Sequence, residues 1–82
     1  MSKAQTLYDS FKKLYETQAK MGRTTLELIA HPDATPEQIQ EASVGYRNVT
    51  QSLRKHKPVV VQALVKLGRP MLADTVQRNF KF

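Results

Sequence analysis

The sequence predicts a small all-α domain, and three features of its 82 residues indicate this class. Apolar residues recur at spacings of three, four and seven along two long stretches, as they do in amphipathic helices. Prolines and glycines punctuate the chain where helices would start and stop. The valine-rich run at residues 59–61 has no second strand with which to pair. We therefore expect a single domain, residues 1–82, with a long antiparallel helical hairpin followed by two short helices, four helices in all.

The first helix is expected over residues 3–30. Its inward stripe consists of Leu7, Phe11, Leu14, Met21 and Leu28. Gln18 and Thr25 fall on the same stripe and dilute it. Gly22 lowers helix stability by about 1 kcal/mol relative to alanine in a helix interior, so the sequence allows a bend or an early end of the helix near this residue.

The second helix is expected to begin at a capping box. Thr35 can accept a hydrogen bond from the backbone of Gln38, whose side chain can reach back, and Pro36 suits the first helical position. The stripe that follows consists of Ile39, Ala42, Tyr46, Val49 and Leu53. The basic run at residues 54–57 should close this helix, because cations complement the negative end of the helix dipole. This helix should pair antiparallel with the first.

Two short helices are expected in the last third of the chain. Pro58 starts the third, and residues 59–67 are apolar nearly all round, which predicts a buried helix. Gly68 is a natural stop and Pro70 a natural start for the fourth helix, which runs to Phe80. In an alternative arrangement the first two helices form a hairpin that dimerises as a bundle, with the short helices covering one end.

Composition argues against enzymatic chemistry. The chain has no cysteine, which excludes disulfides, thiolate metal sites and cysteine nucleophiles. His31 and His56 lie in different segments, and the glycines are isolated rather than grouped in a phosphate-binding loop. The carboxylates mostly fall on outward positions of the predicted helices. We expect a protein that is not an enzyme and that uses neither a cofactor nor a metal.

The same features bear on location and assembly. No apolar run approaches the roughly 20 residues of a membrane-spanning helix, and the first residues lead into an amphipathic stretch rather than a signal sequence. Together with the lack of cysteine, this favours the cytoplasm. A domain of this size has a thin core, so a homodimer is one way to bury more surface.

Charge is distributed unevenly along the chain. Residues 1–41 carry a net charge of −1 and residues 42–82 a net charge of +7. Such segregation favours a polyanionic or acidic partner over solubility alone. The predicted partner-binding face carries Arg47, Gln51, Arg54, Lys55 and Lys57, joined by Lys66 and Arg69 if the chain folds back.

A second candidate interface lies on the first helix. Tyr8 and Tyr15 are seven residues apart, with Lys12 nearby. Tyrosines on a helix edge are typical of interfaces, and equally of the margin of a core. The first hypothesis is binding to an acidic or helical protein partner. Nucleic-acid binding through phosphate contacts is the alternative, and the net charge of +7 on residues 42–82 is its main support.

The overall form of the chain resembles a class of small viral proteins. A compact, cysteine-free helical chain of about eighty residues, with charge divided between its halves, is similar to phage-encoded accessory proteins that inhibit a host or lysis component. The resemblance is one of size and style and covers no alignable motif. It implies a regulatory or inhibitory protein that acts by binding another protein.

Overall fold

The computed structural model describes residues 2–81, and their order of elements is three α-helices with no strand. The helices are α1 (Lys3–Ala30), α2 (Pro36–Lys66) and α3 (Pro70–Asn79). α1 and α2 pack antiparallel as a hairpin, and α3 turns back onto α2. The hairpin makes the molecule elongated, with extents of 50 × 20 × 19 Å. The predicted all-α class is confirmed, and the predicted count of four helices is wrong.

α2 merges two of the predicted helices because it continues through Pro58. Proline removes one backbone hydrogen bond and costs about 3 kcal/mol within a helix, which is why a break was expected. Leu53, Val60 and Leu64 are all buried, and their spacing of seven and four keeps them on one stripe only if the helix is continuous. Pro58 itself is exposed and lines a surface groove with Gln77 of α3. Burial on both sides of the proline therefore outweighs the local signal to stop.

The predicted buried third helix is wrong for the same reason. Residues 59–66 are the last two turns of α2, and α3 covers only one side of them. Val60 and Leu64 face the core, whereas the side chains of Val59 and Val65 are mostly exposed. The segment 59–66, which has apolar residues on all sides of the helix, is thus buried on one side and exposed on the other.

α1 is continuous through Gly22, and its buried stripe differs from the predicted one. The buried residues are Ala4, Phe11, Gln18 and Thr25, at intervals of seven. Leu7, Leu14, Met21 and Leu28 lie beside this stripe and stay partly or largely exposed. Of the five apolar residues predicted for the stripe, only Phe11 is buried, whereas both polar residues on it, Gln18 and Thr25, are buried.

The helix ends follow the local signals. Gln38 N–H donates to Thr35 Oγ1 at 3.2 Å, and Thr35 N–H donates to Gln38 Oε1 at 3.0 Å, which confirms the capping box. At the end of α2, Gly68 has a φ of +78°. Its N–H donates to the Val65 carbonyl at 3.0 Å, and Arg69 N–H donates to the Leu64 carbonyl at 2.9 Å, a Schellman motif that turns the chain into α3.

The core is concentrated at the open end of the hairpin, where α3 lies. Ala73 and Val76 of α3 are buried with Leu53, Val60 and Leu64 of α2. Just beyond α3, the Phe80 ring packs on three aromatic rings of α1, with centroids 5.9 Å from Tyr8, 5.5 Å from Phe11 and 4.8 Å from Tyr15. We call residues 24–46, which contain the loop between α1 and α2, the hairpin tip. Within residues 2–81, Thr25 is the one buried residue of the tip.

Candidate protein-binding surface

A ridge of polar and basic residues runs along the outer side of α2. The outer ridge consists of Arg47, Gln51, Arg54, Pro58, Gln62 and Val65, all of which are exposed. At about 100° per residue, these positions lie within about 80° of one another around the helix axis. Lys55 borders the ridge and is also exposed. Four of the predicted partner-binding residues, Arg47, Gln51, Arg54 and Lys55, are therefore brought together.

The positive charge of this ridge is not neutralised by nearby carboxylates. Residues 47–73 contain six Lys or Arg and no Asp or Glu. The ion pair within residues 2–81 joins Arg78 to Asp74 on α3, at 3.2 Å, and involves no ridge residue. The ridge thus presents a field that attracts an acidic surface.

Lys57 lines a groove between α2 and α3 together with the ridge residues Arg54 and Pro58, and its amino group is directed to α3. Its Nζ donates to the Phe80 carbonyl at 2.7 Å and to the Gln77 carbonyl at 3.3 Å. These carbonyls lie at the C-terminal end of α3, where the helix dipole is negative and a cation is favourable. Lys57 therefore ties α2 to the end of α3.

Lys66 and Arg69 lie where α2 turns into α3, among exposed apolar side chains. Val65 is 54% exposed, Leu67 45% and Met71 83%. We call Val65, Lys66, Leu67, Arg69 and Met71 the corner. A surface groove at this place is lined by Gly68, Arg69, Pro70, Met71 and Leu72. The outer ridge begins at Arg47 and ends at Val65, which also belongs to the corner, so the two surfaces are continuous.

The apolar part of the corner is absent from the sequence prediction. The sequence predicts a buried helix over residues 59–67, which gives Val65 and Leu67 no role in binding. One sequence signal could have revealed this apolar surface. Tyr46, Leu53 and Val60 are spaced by seven and continue the stripe of the second predicted helix through Pro58. Extending that phase places Val65 on the outer side of the helix.

The candidate interface on α1 is partly used within the molecule. Tyr8 and Tyr15 are half-buried and stack on Phe80. Tyr15 Oη donates to the Lys81 carbonyl at 3.1 Å, which fixes the chain after α3. Lys12 is exposed beside them. Packing accounts for both tyrosines, and a role for these three residues in partner binding stays a prediction.

The other findings place few limits on function. The described residues contain no group of three or more histidines and carboxylates that could hold a metal ion. Among the helices of residues 2–81, none combines the length and apolar character needed to cross a bilayer. Comparison with protein-family models, with curated proteins and with solved structures gave no match.

Proposed function

We propose that this chain is a non-enzymatic regulatory protein that binds an acidic, amphipathic segment of another protein through the outer ridge and the corner. The supporting observation is the close mixture of cations with exposed apolar side chains at the corner. Lys66 and Arg69 alternate there with Leu67 and Met71. Such a mixture matches a helix that carries carboxylates on one edge and apolar residues on the other. Binding of this kind inhibits the partner by covering its surface, as the resemblance to phage accessory proteins implies.

Nucleic-acid binding is the second candidate, and the uncompensated charge favours it. Arg47 and Arg54 are about 10 Å apart along one side of α2, a spacing compatible with two phosphate contacts. A phosphate backbone, however, gives no partner to Leu67 or Met71, both of which are largely exposed. Exposed apolar side chains grouped at one place are typical of protein interfaces. The corner therefore favours a protein partner.

A capture experiment with paired variants distinguishes the two candidates. The wild-type protein is immobilised and exposed to a lysate of its native host, with and without nuclease, at about 50 mM and 300 mM salt. One variant reverses the ridge charge (Arg47→Glu with Arg54→Glu), and a second removes apolar surface from the corner (Leu67→Ser with Met71→Ser). The matched control, Lys13→Glu with Lys20→Glu, makes the same charge change on α1, where both lysines are exposed and, like Arg47 and Arg54, are seven residues apart.

For a protein partner, we expect one captured protein that survives nuclease and is lost with both the ridge and the corner variants. The control should retain it. Capture that disappears with nuclease, falls at least about tenfold at the higher salt concentration and is unaffected by the corner variant would instead establish the nucleic-acid candidate. Far-UV circular dichroism of each variant checks that the helices are intact.

A further inference from the structure

A line of apolar residues runs along the hairpin, away from both α3 and the outer ridge. This apolar seam consists of Leu7, Leu14, Met21 and Leu28 on α1 with Ala42 and Val49 on α2. None of the six is buried, and Leu14 is 37% exposed. The α1 members lie about 100° around the helix from Tyr8 and Tyr15, which Phe80 covers. Leu7 and Val49 pack against the edge of the core, and within residues 2–81 all six side chains keep part of their surface accessible.

The seam has the spacing and shape of a helix-packing surface. Its α1 members repeat every seven residues over three intervals, which is the periodicity of a coiled-coil contact. The contact with α2 uses the neighbouring heptad stripe of Phe11, Gln18 and Thr25. Two furrows between the helices open onto the seam, one beside Met21 and Ala42 and the other beside Leu28 and Ala42. α1 therefore carries two adjacent stripes, and the more apolar of them lies at the edge of the hairpin contact, where the end of the Met21 side chain approaches Gly45 of α2.

We propose that a second copy of this chain packs antiparallel on the apolar seam and forms a four-helix bundle. The charge distribution is the reason for choosing a second copy as the partner and an antiparallel orientation. Residues 24–46, the hairpin tip, contain four carboxylates and no Lys or Arg, whereas residues 47–73 contain six Lys or Arg and no carboxylate. Antiparallel packing brings the acidic tip of each copy to the same end of the dimer as residues 47–73 of the other. Parallel packing would pair like charges along the whole hairpin.

The spacing of the seam is compatible with this orientation. In an antiparallel pair related by a two-fold axis near Thr17 and Gln18, Leu7 meets Leu28 of the second copy and Leu14 meets its Met21. Every α1 residue of the seam then has an apolar partner. The seam is about 32 Å long from Leu7 to Leu28. With the 20 Å width of the molecule, its flat footprint is about 600 Å² per copy, at the lower limit of specific interfaces.

Analytical ultracentrifugation tests the association, because the protein is a 9.3 kDa chain and a dimer doubles that mass. We expect the weight-average mass to rise toward twice the monomer value between about 1 μM and 1 mM, a range typical of a weak interface. Leu14→Glu places a charge on the seam and should raise the dissociation constant at least about 100-fold. Leu26→Glu is the matched control, because Leu26 is also a leucine of α1, is 67% exposed and lies on a different side of the helix from the seam. Its mass profile should match wild type.

Single cysteines test the orientation, since the chain has none of its own. Ser10, Thr17 and Thr24 are exposed residues that flank the seam at intervals of seven. In the antiparallel dimer, only Thr17→Cys places two equivalent thiols near the two-fold axis. Equivalent thiols at positions 10 and 24 are about 20 Å apart along the helix, too far for a disulfide. Rapid oxidation to a covalent dimer is therefore expected for Thr17→Cys alone.

Several results would overturn the dimer. A wild-type chain that stays monomeric at 1 mM would leave the seam to a different protein. An unchanged dissociation constant for Leu14→Glu would place any dimer contact elsewhere. Preferential cross-linking at Thr24→Cys would show a tip-to-tip pair, which the like charges of the two tips oppose. Because the seam and the outer ridge lie on different sides of α2, loss of the dimer and loss of partner capture can be scored separately.

Discussion

The contact between α1 and α2 depends on two glycines that face the opposite helix. A Cβ atom built on Gly22 would lie 3.0 Å from Cε1 of the Tyr46 ring, and one built on Gly45 would lie 3.1 Å from Cε of Met21. The two neighbours differ in freedom to move. Tyr46 Oη accepts a hydrogen bond from Gln18 Nε2 at 3.1 Å, which holds the ring, whereas Met21 ends in an unbranched, half-buried chain.

This difference predicts opposite effects for the same substitution. Alanine is favoured over glycine in a helix by about 1 kcal/mol, so Gly45→Ala should stabilise the protein by up to about that amount. Gly22→Ala should destabilise it by about 1–2 kcal/mol, because the new methyl group displaces the Tyr46 ring. Urea unfolding followed by circular dichroism measures both. A stabilising Gly22→Ala would show that the ring moves freely and does not set the distance between the helices.

The buried residues of α1 show what the sequence pattern can and cannot reveal. The spacing correctly predicted one long helix over residues 3–30, but it placed the buried side about 40° from the observed one, on the more apolar residues. Gln18 is 6% exposed and bonds to Tyr46 and Thr50, which are 28 and 32 residues away. No local pattern shows that a glutamine will find such partners. The sequence therefore predicts that α1 forms, but it does not predict which side of α1 is buried.

At the scale of the element, α2 contains two local sequence signals with different outcomes: the capping box forms as predicted, whereas the stop predicted at Pro58 does not occur. The capping box at Thr35 and Gln38 is satisfied by atoms within four residues, so the sequence was sufficient to predict it. The stop expected at Pro58 depends on what the flanking residues bury, which is a tertiary property.

The basic face was likewise partly predictable. Arg47, Gln51, Arg54 and Lys55 share a side of one helix, but the placement of Lys57 required the position of α3.

Pro58→Ala tests whether α2 is one element. In a continuous helix, alanine restores the missing hydrogen bond to the Arg54 carbonyl and removes an unfavourable residue, so we expect stabilisation by about 1–2 kcal/mol. Helix content should not fall. Gln62→Ala is the matched control, four residues further along the same exposed side, and should change stability by less than about 0.5 kcal/mol. Destabilisation by Pro58→Ala would indicate two separate helices with a proline start, as the sequence suggests.

At the scale of the whole molecule, stability should be uneven along the hairpin. One end contains the buried apolar cluster, to which all three helices contribute, and the aromatic packing around Phe80. In the tip, Thr25 is the one buried residue within the described chain, and Leu26 and Ile29 are mostly exposed. Elements with few buried contacts open locally at lower free energy than the global unfolding. The tip should therefore open while the end that carries α3 stays folded.

Hydrogen exchange followed by mass spectrometry measures this difference. The Leu14→Glu variant, at about 1 μM, removes any contribution from the proposed dimer. We expect amides of residues 24–45 to exchange at least about tenfold faster than amides of residues 53–64, a difference of about 1.4 kcal/mol in opening free energy. Wild-type protein at high concentration should then slow exchange in the tip more than around Leu64, because the tip gains buried surface from the second copy. Equal protection along both segments of the variant would show that the hairpin unfolds as one unit, and that Thr25 and the polar contacts of Gln18 suffice to stabilise the tip.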